Sequence, residues 1–147
     1  MAKGRQRVVE LGTGSAWTAI SLVLTDSGRQ VISYDPVERD RESYLHLVSP
    51  QARRRLTLMS ALGDEGPGDD TRVDLLFIDS SHERDHTVCE VEVWRPFLSE
   101  NAVVVIDDYG HPQYPGVREA VRCLGLRGQE YDDALFVYCV GADAARS

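Results

Sequence analysis

The chain has 147 residues, 24 acidic against 16 basic side chains and a formal net charge of −8, with 42% hydrophobic and 27% charged residues. These values exclude a disordered chain, a collagen-like repeat and a disulfide scaffold, and the acidic excess repels a polyanionic backbone, so nucleic acid is not an expected partner. No apolar run approaches the ~20 residues of a membrane span, and the opening "MAKGRQR" lacks the apolar core of a signal peptide, which predicts one folded domain in the cytoplasm, away from membranes.

The first predicted strand is Arg7–Leu11, "RVVEL", followed by the turn "GTG" and a helix over residues 16–25 with Trp17, Ile20, Val23 and Leu24 on one face. A second strand over 30–35 precedes a helix over 39–48 whose apolar stripe is Tyr44, Leu45 and Val48. The run "RRR" at 53–55 is expected at a solvated helix end or strand edge, and leads into a third strand over 55–60. Residues 62–71, rich in Gly, Asp and Pro, predict an exposed, mobile loop. A fourth strand over 73–79, a helix over 84–97 with Val88, Val91 and Trp94 inward, and a fifth strand over 102–107 continue the alternation. After a helix over 117–124 come "GQEYDD" and "ALFVYCV", predicted as a terminal antiparallel pair. Apolar strands separated by helices indicate an α/β fold: a doubly wound, mostly parallel sheet covered on both faces, with a C-terminal antiparallel strand pair. Cys89, Cys123 and Cys139, odd in number and widely spaced in apolar contexts, are expected to be buried reduced thiols.

Gly12 and Gly14 let the backbone turn sharply and approach a ligand closely, and the helix that follows points unpaired N–H groups into the same crevice. Dinucleotides and S-adenosylmethionine are both held by such turns. In the dinucleotide fingerprint a third glycine seats the helix against the strand, and here that position is Trp17, which weighs against a nicotinamide cofactor. Asp35 can accept both ribose hydroxyls of an adenosine in either class. Glu10 discriminates between them, because a carboxylate inside a buried strand is costly without a partner or a task. Strand-end E-x-G-x-G is the pattern of class I methyltransferases.

Taken together, "VVELGTGSAWTAISL", "VISYDP", "VDLLFIDSSHERDHTVCEVEVWRPFLSENAVVVIDDYG" and "PGVREAV" resemble the class I S-adenosylmethionine-dependent methyltransferases. The greatest similarity is to small-molecule O-methyltransferases, the catechol-type enzymes and the sugar methyltransferases of antibiotic pathways. It spans nearly the whole chain and is most specific over residues 77–110. The resemblance implies a Rossmann-like fold, S-adenosylmethionine as cofactor and a small-molecule hydroxyl as acceptor. It further implies that Glu10, Gly12, Thr13, Gly14 and Ser15 surround the methionine part of the cofactor and that Asp35 holds its ribose. Ser60 and Ala61 would flank the adenine, although the acidic residue expected there is missing.

Asp79 ends the fourth strand and the pair Asp107 and Asp108 ends the fifth, and carboxyl ends of neighbouring strands line the ligand crevice of an open parallel sheet. Three converging carboxylates repel one another unless a cation of the Mg²⁺ kind neutralises them. By the resemblance, Asp79, Asp107 and Asp108 hold a divalent metal that lowers the pKa of the hydroxyl to be methylated. The alternative is that Asp107 or Asp108 caps the turn at "YGHP". His82 in "DSSH" is placed to act as general base or to pack beside the cofactor, with Asp79 next to it at the reacting centre and on the cofactor side. Tyr109 and His111 are candidates for substrate contact, whereas His46 and His86 read as surface or boundary residues.

Few residues precede the first strand, where such enzymes carry N-terminal helices over cofactor and substrate, so residues 1–147 are expected to form a single domain without that lid. A homo-oligomer, a lid-supplying partner or the loop over 62–71 would then close the site. Two rival classes stay open: an NAD(P)-dependent oxidoreductase, and a non-catalytic cofactor-binding subunit activated by a second protein.

Overall fold

In the computed structural model, which describes residues 1–68 and 70–141, strand β1 (Arg7–Leu11) runs between β2 (Gln30–Tyr34) and β4 (Val73–Ile78). Beyond β2 lies β3 (Leu56–Met59). On the other side of β4 come β5 (Leu98–Ile106), β7 (Leu135–Cys139) and β6 (Gln129–Tyr131), giving the order β3-β2-β1-β4-β5-β7-β6. The first five strands are mutually parallel, and β7 is antiparallel to both β5 and β6. The sheet is therefore the one expected from the sequence, closed at its C-terminal edge by an antiparallel pair.

Both faces of the central strands are covered, which is why β1 and the end of β5 read as unbroken β-branched runs rather than as an alternating pattern. Val9, Leu76 and Val104 point to one face with Trp94 and Val121, while Val8, Leu75 and Val103 point to the other with Ile20 and Val23. Helix α4 (Arg84–Trp94) and helix α5 (Pro115–Cys123) contribute to the first layer. Helix α1 (Trp17–Leu24), with the short α2 (Glu42–Leu45) and α3 (Pro50–Arg53), supplies the second.

Several local expectations give way to packing. Trp17 and Leu24 are exposed, and the buried face of α1 is Ala16, Ala19, Ile20 and Val23. That set already has the spacing of one helical face, so Trp17 and Leu24 lie off the sheet-facing stripe. The single helix over 39–48 is instead α2 followed by α3, with Ser49 capping α3 by accepting from Ala52 N at 3.3 Å and Pro50 at its first position. A residue before proline is pushed out of the helical region, so the chain breaks there. Leu45 and Val48 are buried as expected, while Tyr44 is half-buried against Trp17. Helix α4 stops at Trp94 and a 3₁₀ turn carries Arg95–Phe97; its buried stripe is Thr87, Glu90, Val91 and Trp94, with Val88 half-buried. All three cysteines are free, but all three are exposed rather than buried. Cys89 lies off the α4 stripe, and Cys123 and Cys139 close α5 and β7 at the rim. The run at 53–55 behaves as a helix end: Arg53 pairs with Glu42 at 2.6 Å, and Arg55 donates to the carbonyls of Val23, Asp26 and Arg29.

Part of the loop after β3 is anchored. Gly63 is buried inside a 3₁₀ turn, Gly63–Glu65, and its carbonyl accepts from Trp94 Nε1 at 2.6 Å. Trp94 is fully buried, so this bond is shielded from water. Trp94→Phe keeps most of the ring but strands the Gly63 carbonyl, and is expected to lower stability by about 2 kcal/mol, read from urea unfolding. An unchanged midpoint would show that the loop is not tied through this bond. Among the described residues no helix is long and apolar enough to cross a membrane.

Candidate active site

The chain travels outward from β1 to β2 and β3, then returns to lay β4 on the other flank of β1. This reversal opens a crevice at the carboxyl ends of β1 and β4, the position at which open α/β sheets bind ligands. A cleft of about 370 Å³ occupies it, and its lining includes Gly12, Thr13, Gly14, Ser15, Asp35 and Asp79, together with Trp17, Gly63, Ser80 and Glu90.

The glycine turn is fixed by its surroundings. Gly12 has φ +97°, its N–H donates to the Tyr34 carbonyl at 2.8 Å, and a Cβ there would lie 1.8 Å from the Asp79 carbonyl oxygen. Gly14, at φ +50°, faces open space and donates its N–H to Asp35 Oδ2 at 2.9 Å. The turn thus presses against the end of β4 on one side and leaves room on the other, which fits a ligand laid across it. Asp35 is buried at the exit of β2; its Oδ1 accepts from Val37 N at 2.8 Å and its Oδ2 from Arg41 Nη2 at 3.0 Å.

Glu10 does not line the cleft but lies beneath it, 1% exposed. Its carboxylate accepts from Ser33 Oγ and from the Ala19 N–H in the first turn of α1, and Ser33 in turn meets Thr13 Oγ1 at 2.6 Å. The strand carboxylate therefore ties the glycine turn to β2 and serves as acceptor for the start of α1, whose flanking Ala16 has no side-chain cap. Burial above all, and the Asp79 charge, push Glu10 from 4.5 up to about 7. Between pH 4.5 and 7 the unfolded chain releases a proton that the fold retains, so this group makes stability fall as pH rises through that window. Glu10→Gln is expected to flatten the decline and raise stability above pH 7, by at most about 3 kcal/mol. Thermal unfolding between pH 4 and 8 reads it out, and a slope unchanged by the substitution would assign the dependence elsewhere.

Behind Asp79, which lines the cleft, His82 Nε2 lies 3.2 Å from Asp79 Oδ1 and 3.0 Å from Asp108 Oδ2. Ligand atoms of these three residues fall within 4.8 Å of one another. Asp107 stands apart from that group: its Oδ1 accepts the Asp108 N–H at 2.8 Å. Burial first, then the Asp107 charge, push Asp79 up to about 6. Excess negative charge at this point fits a cation. His82 and Asp108 both adopt left-handed backbone, φ +61° and +54°, a conformation that costs energy in residues other than glycine. Tyr114 stacks on His82 at 4.3 Å between ring centres and on His111 at 4.7 Å, forming an aromatic ledge beside the carboxylates.

The cleft margin beyond β3 comes from Gly63, whereas Ser60 is exposed and Ala61 half-buried at the strand end. Three contributors have no counterpart in the sequence reading. Arg41 is buried against Asp35 and had no signal, being one charge in a polar run. Glu90 is 1% exposed and accepts from Ser80 Oγ at 2.7 Å; its place on the helical stripe with Val91 and Trp94 could have marked it. Tyr114 was readable only as a residue in a turn. His46 is exposed, and His86 sits at the boundary, 2.6 Å from Ser81 Oγ through Nδ1.

A doubly wound sheet with a glycine turn over β1, an acidic residue closing β2 and no third glycine defines a nucleoside-binding fold of the methyltransferase rather than the dehydrogenase kind. The chain matches the methyltransferase-domain family over residues 9–109, and it belongs to that family of S-adenosylmethionine-dependent enzymes. Among solved structures it is similar to CalS11, a TDP-rhamnose 3'-O-methyltransferase of calicheamicin biosynthesis, at 17% identity over 92% of this chain and 72% of that one, TM-score 0.72. A methyltransferase from Geobacter sulfurreducens superposes with TM-score 0.72 at 18% identity, over 94% of this chain and 72% of that one. The fibrillarin pre-rRNA processing protein of Methanococcus jannaschii reaches 0.69 at 11% identity, over 95% of this chain and 68% of that one. At such identities the likeness is one of fold and does not choose an acceptor. No curated protein matches the chain significantly in sequence.

Proposed function

We propose that the chain binds S-adenosylmethionine in the cleft over Gly12 and Gly14 and methylates a hydroxyl of a small molecule, with His82 handling the hydroxyl proton. The observation that carries this reading is that His82 lies between Asp108 and Asp79, and Asp79 lines the crevice. Bound S-adenosylmethionine supplies an electrophilic sulfonium methyl; the chain has to position, exclude water and move one proton. Asp35 would hold the nucleoside end and the open side of the turn at Gly14 would seat the methionine end, over the tie that Glu10 makes beneath them. Two carboxylate acceptors on Nε2 keep the proton on that nitrogen, so Nδ1 offers the lone pair that takes the hydroxyl proton. The stacked Tyr114 ring holds the imidazole plane.

A divalent cation is part of the proposal. Asp79 and Asp108 would hold it, with Asp107 as the third carboxylate of the expected trio, and it would neutralise them and acidify the acceptor hydroxyl. A set of carboxylate oxygens suits Mg²⁺ and Mn²⁺ alike. The net charge of −8 favours a small acceptor over the RNA that a fibrillarin processes. The test is transfer of labelled methyl from S-adenosylmethionine to a panel of phenols, catechols and nucleotide sugars, after EDTA treatment and again with Mg²⁺ or Mn²⁺. Turnover restored by metal supports the full reading, metal-independent turnover removes the cation from it, and cofactor binding without transfer to any acceptor counts against an autonomous O-methyltransferase.

A further inference from the structure

We propose that the acceptor carries an anionic group, a phosphate or a carboxylate, and that Arg118 and Arg122 hold it in a second cavity next to the reacting centre. This rests on His82 marking where the acceptor hydroxyl lies. The turn that follows β5 connects the two places. Asp108 meets His82 at 3.0 Å, Tyr109 is the next residue, and the His111 N–H donates to the Asp108 carbonyl at 3.0 Å. Beyond that turn is a cavity of about 170 Å³ whose lining includes Tyr109, His111, Pro115, Arg118, Glu119 and Arg122. His111 stacks on Tyr114, and Tyr114 on His82, so the cavity begins two stacked rings from the imidazole that takes the hydroxyl proton. An acceptor that reaches both has a ring-sized body between its hydroxyl and its charge.

Charge and geometry select an anion. Arg118 and Arg122 are one helical turn apart on α5, so both side chains leave the same face, while Val117, Ala120 and Val121 are buried. Arg118 is held ready for a ligand: its guanidinium lies 4.9 Å from the centre of the Tyr109 ring, and Nη2 donates to Glu130 Oε1 at 3.3 Å. The partners of that pair are 40% and 39% exposed, where an ion pair contributes little, and a guanidinium carries several further donors. The exposed Arg122 side chain makes no hydrogen bond or ion pair among the described residues. Glu119, the carboxylate of the lining, is exposed and its charge also acts on Arg84 of α4. Two guanidinium forks against one shared carboxylate leave the cavity positive in a chain whose net charge is −8. Such forks match the oxygens of a phosphate or a carboxylate two at a time.

The experiment is calorimetric titration of matched probes into the chain, with and without S-adenosylhomocysteine: methyl glucoside against glucose 1-phosphate and glucuronate, catechol against 3,4-dihydroxycinnamate, and inorganic pyrophosphate by itself. In the wild type each charged probe is expected to bind at least about tenfold more tightly than its neutral counterpart, and the gain should shrink as salt rises. Arg122→Met and Arg118→Met should each remove most of the difference and most of the pyrophosphate binding. Arg122→Lys should restore part of it, since the charge returns without the fork. A larger gain for glucose 1-phosphate than for glucuronate supports a phosphate as the occupant, and the reverse supports a carboxylate. Equal binding of charged and neutral probes would overturn the proposal. So would a charge preference that both methionine variants keep, since the anion is then held elsewhere. Thermal unfolding reports folding in each variant, and Arg122→Met decides the matter should Arg118→Met fail to fold. Arginine-dependent pyrophosphate binding, with no methyl transfer to any acceptor, would keep this site and remove the O-methyltransferase reading. Methyl transfer to neutral acceptors without any charge preference would do the opposite.

Discussion

Gly12→Ala is expected to abolish cofactor binding, with no heat detectable on titration of S-adenosylhomocysteine at concentrations that saturate the wild type. The added methyl would sit 1.8 Å from the Asp79 carbonyl oxygen and 2.5 Å from its carbon, both backbone atoms with no freedom to swing aside. Its φ of +97° is also one that a residue with a Cβ rarely adopts. Relief requires β1 and β4 to separate at their carboxyl ends, and that separation dismantles the crevice in which the ligand would lie. The stability loss should exceed about 4 kcal/mol, the range reached only by core cavities, buried charges and backbone strain. Gly14→Ala is the informative control: its Cβ meets no protein atom, so it should fold with a modest backbone penalty and weaken binding by occupying the ligand's space. Wild-type affinity in Gly12→Ala would show that the turn is not the binding element.

His82→Ala is expected to reduce the rate of methyl transfer by roughly 10²- to 10⁴-fold, the usual contribution of a positioned acid or base. Cofactor affinity should change little, because His82 touches Asp79, Asp108 and Tyr114 rather than the glycine turn. Single-turnover transfer measured beside a binding titration separates the two. A drop in affinity with an unchanged rate at saturation would place His82 on the cofactor and return the proton-handling role to solvent or to a metal. If His82 is instead a metal ligand, loss of Mn²⁺ affinity in the variant reports it, whereas a base leaves metal affinity intact.

The sheet was legible because its signal is redundant. Val8, Val9, Leu75, Leu76 and the run from Ala102 to Ile106 are apolar on successive residues, and only a strand covered on both faces needs that. Helical faces were read less well. Trp17 and Leu24 fit the apolar spacing of α1 but stay exposed, whereas the small residues Ala16 and Ala19 complete the buried stripe and let α1 approach the sheet closely. The break between α2 and α3 follows from Pro50, a local signal that runs against the apolar spacing of Tyr44, Leu45 and Val48. The burial expected of Cys89 and Cys123 fails for a similar reason, since apolar neighbours along a helix occupy other faces, while Cys139 is exposed as the last residue of β7. In the site, strand ends were easy to place, and with them Gly12, Asp35, Asp79 and Asp108. What the sequence could not carry was side-chain direction: Asp107 and Asp108 are adjacent, yet only the second meets His82. Nor could it show that Arg41 folds back on Asp35, a contact created by the loop between them.

The central place of β1 has a consequence for synthesis. It leaves the ribosome before both of its neighbours, and β2 can join it after one short helix, but β4, its partner on the other flank, is not complete until Ile78 has been made. For that interval, a few seconds at ordinary elongation rates, the nascent chain carries an open apolar edge at what will be the middle of the sheet. Such an edge is a template for pairing with the wrong strand or with a neighbouring chain. The strand order that creates the binding crevice therefore also leaves β1 with one open edge for as long as the chain between Leu11 and Ile78 is being made.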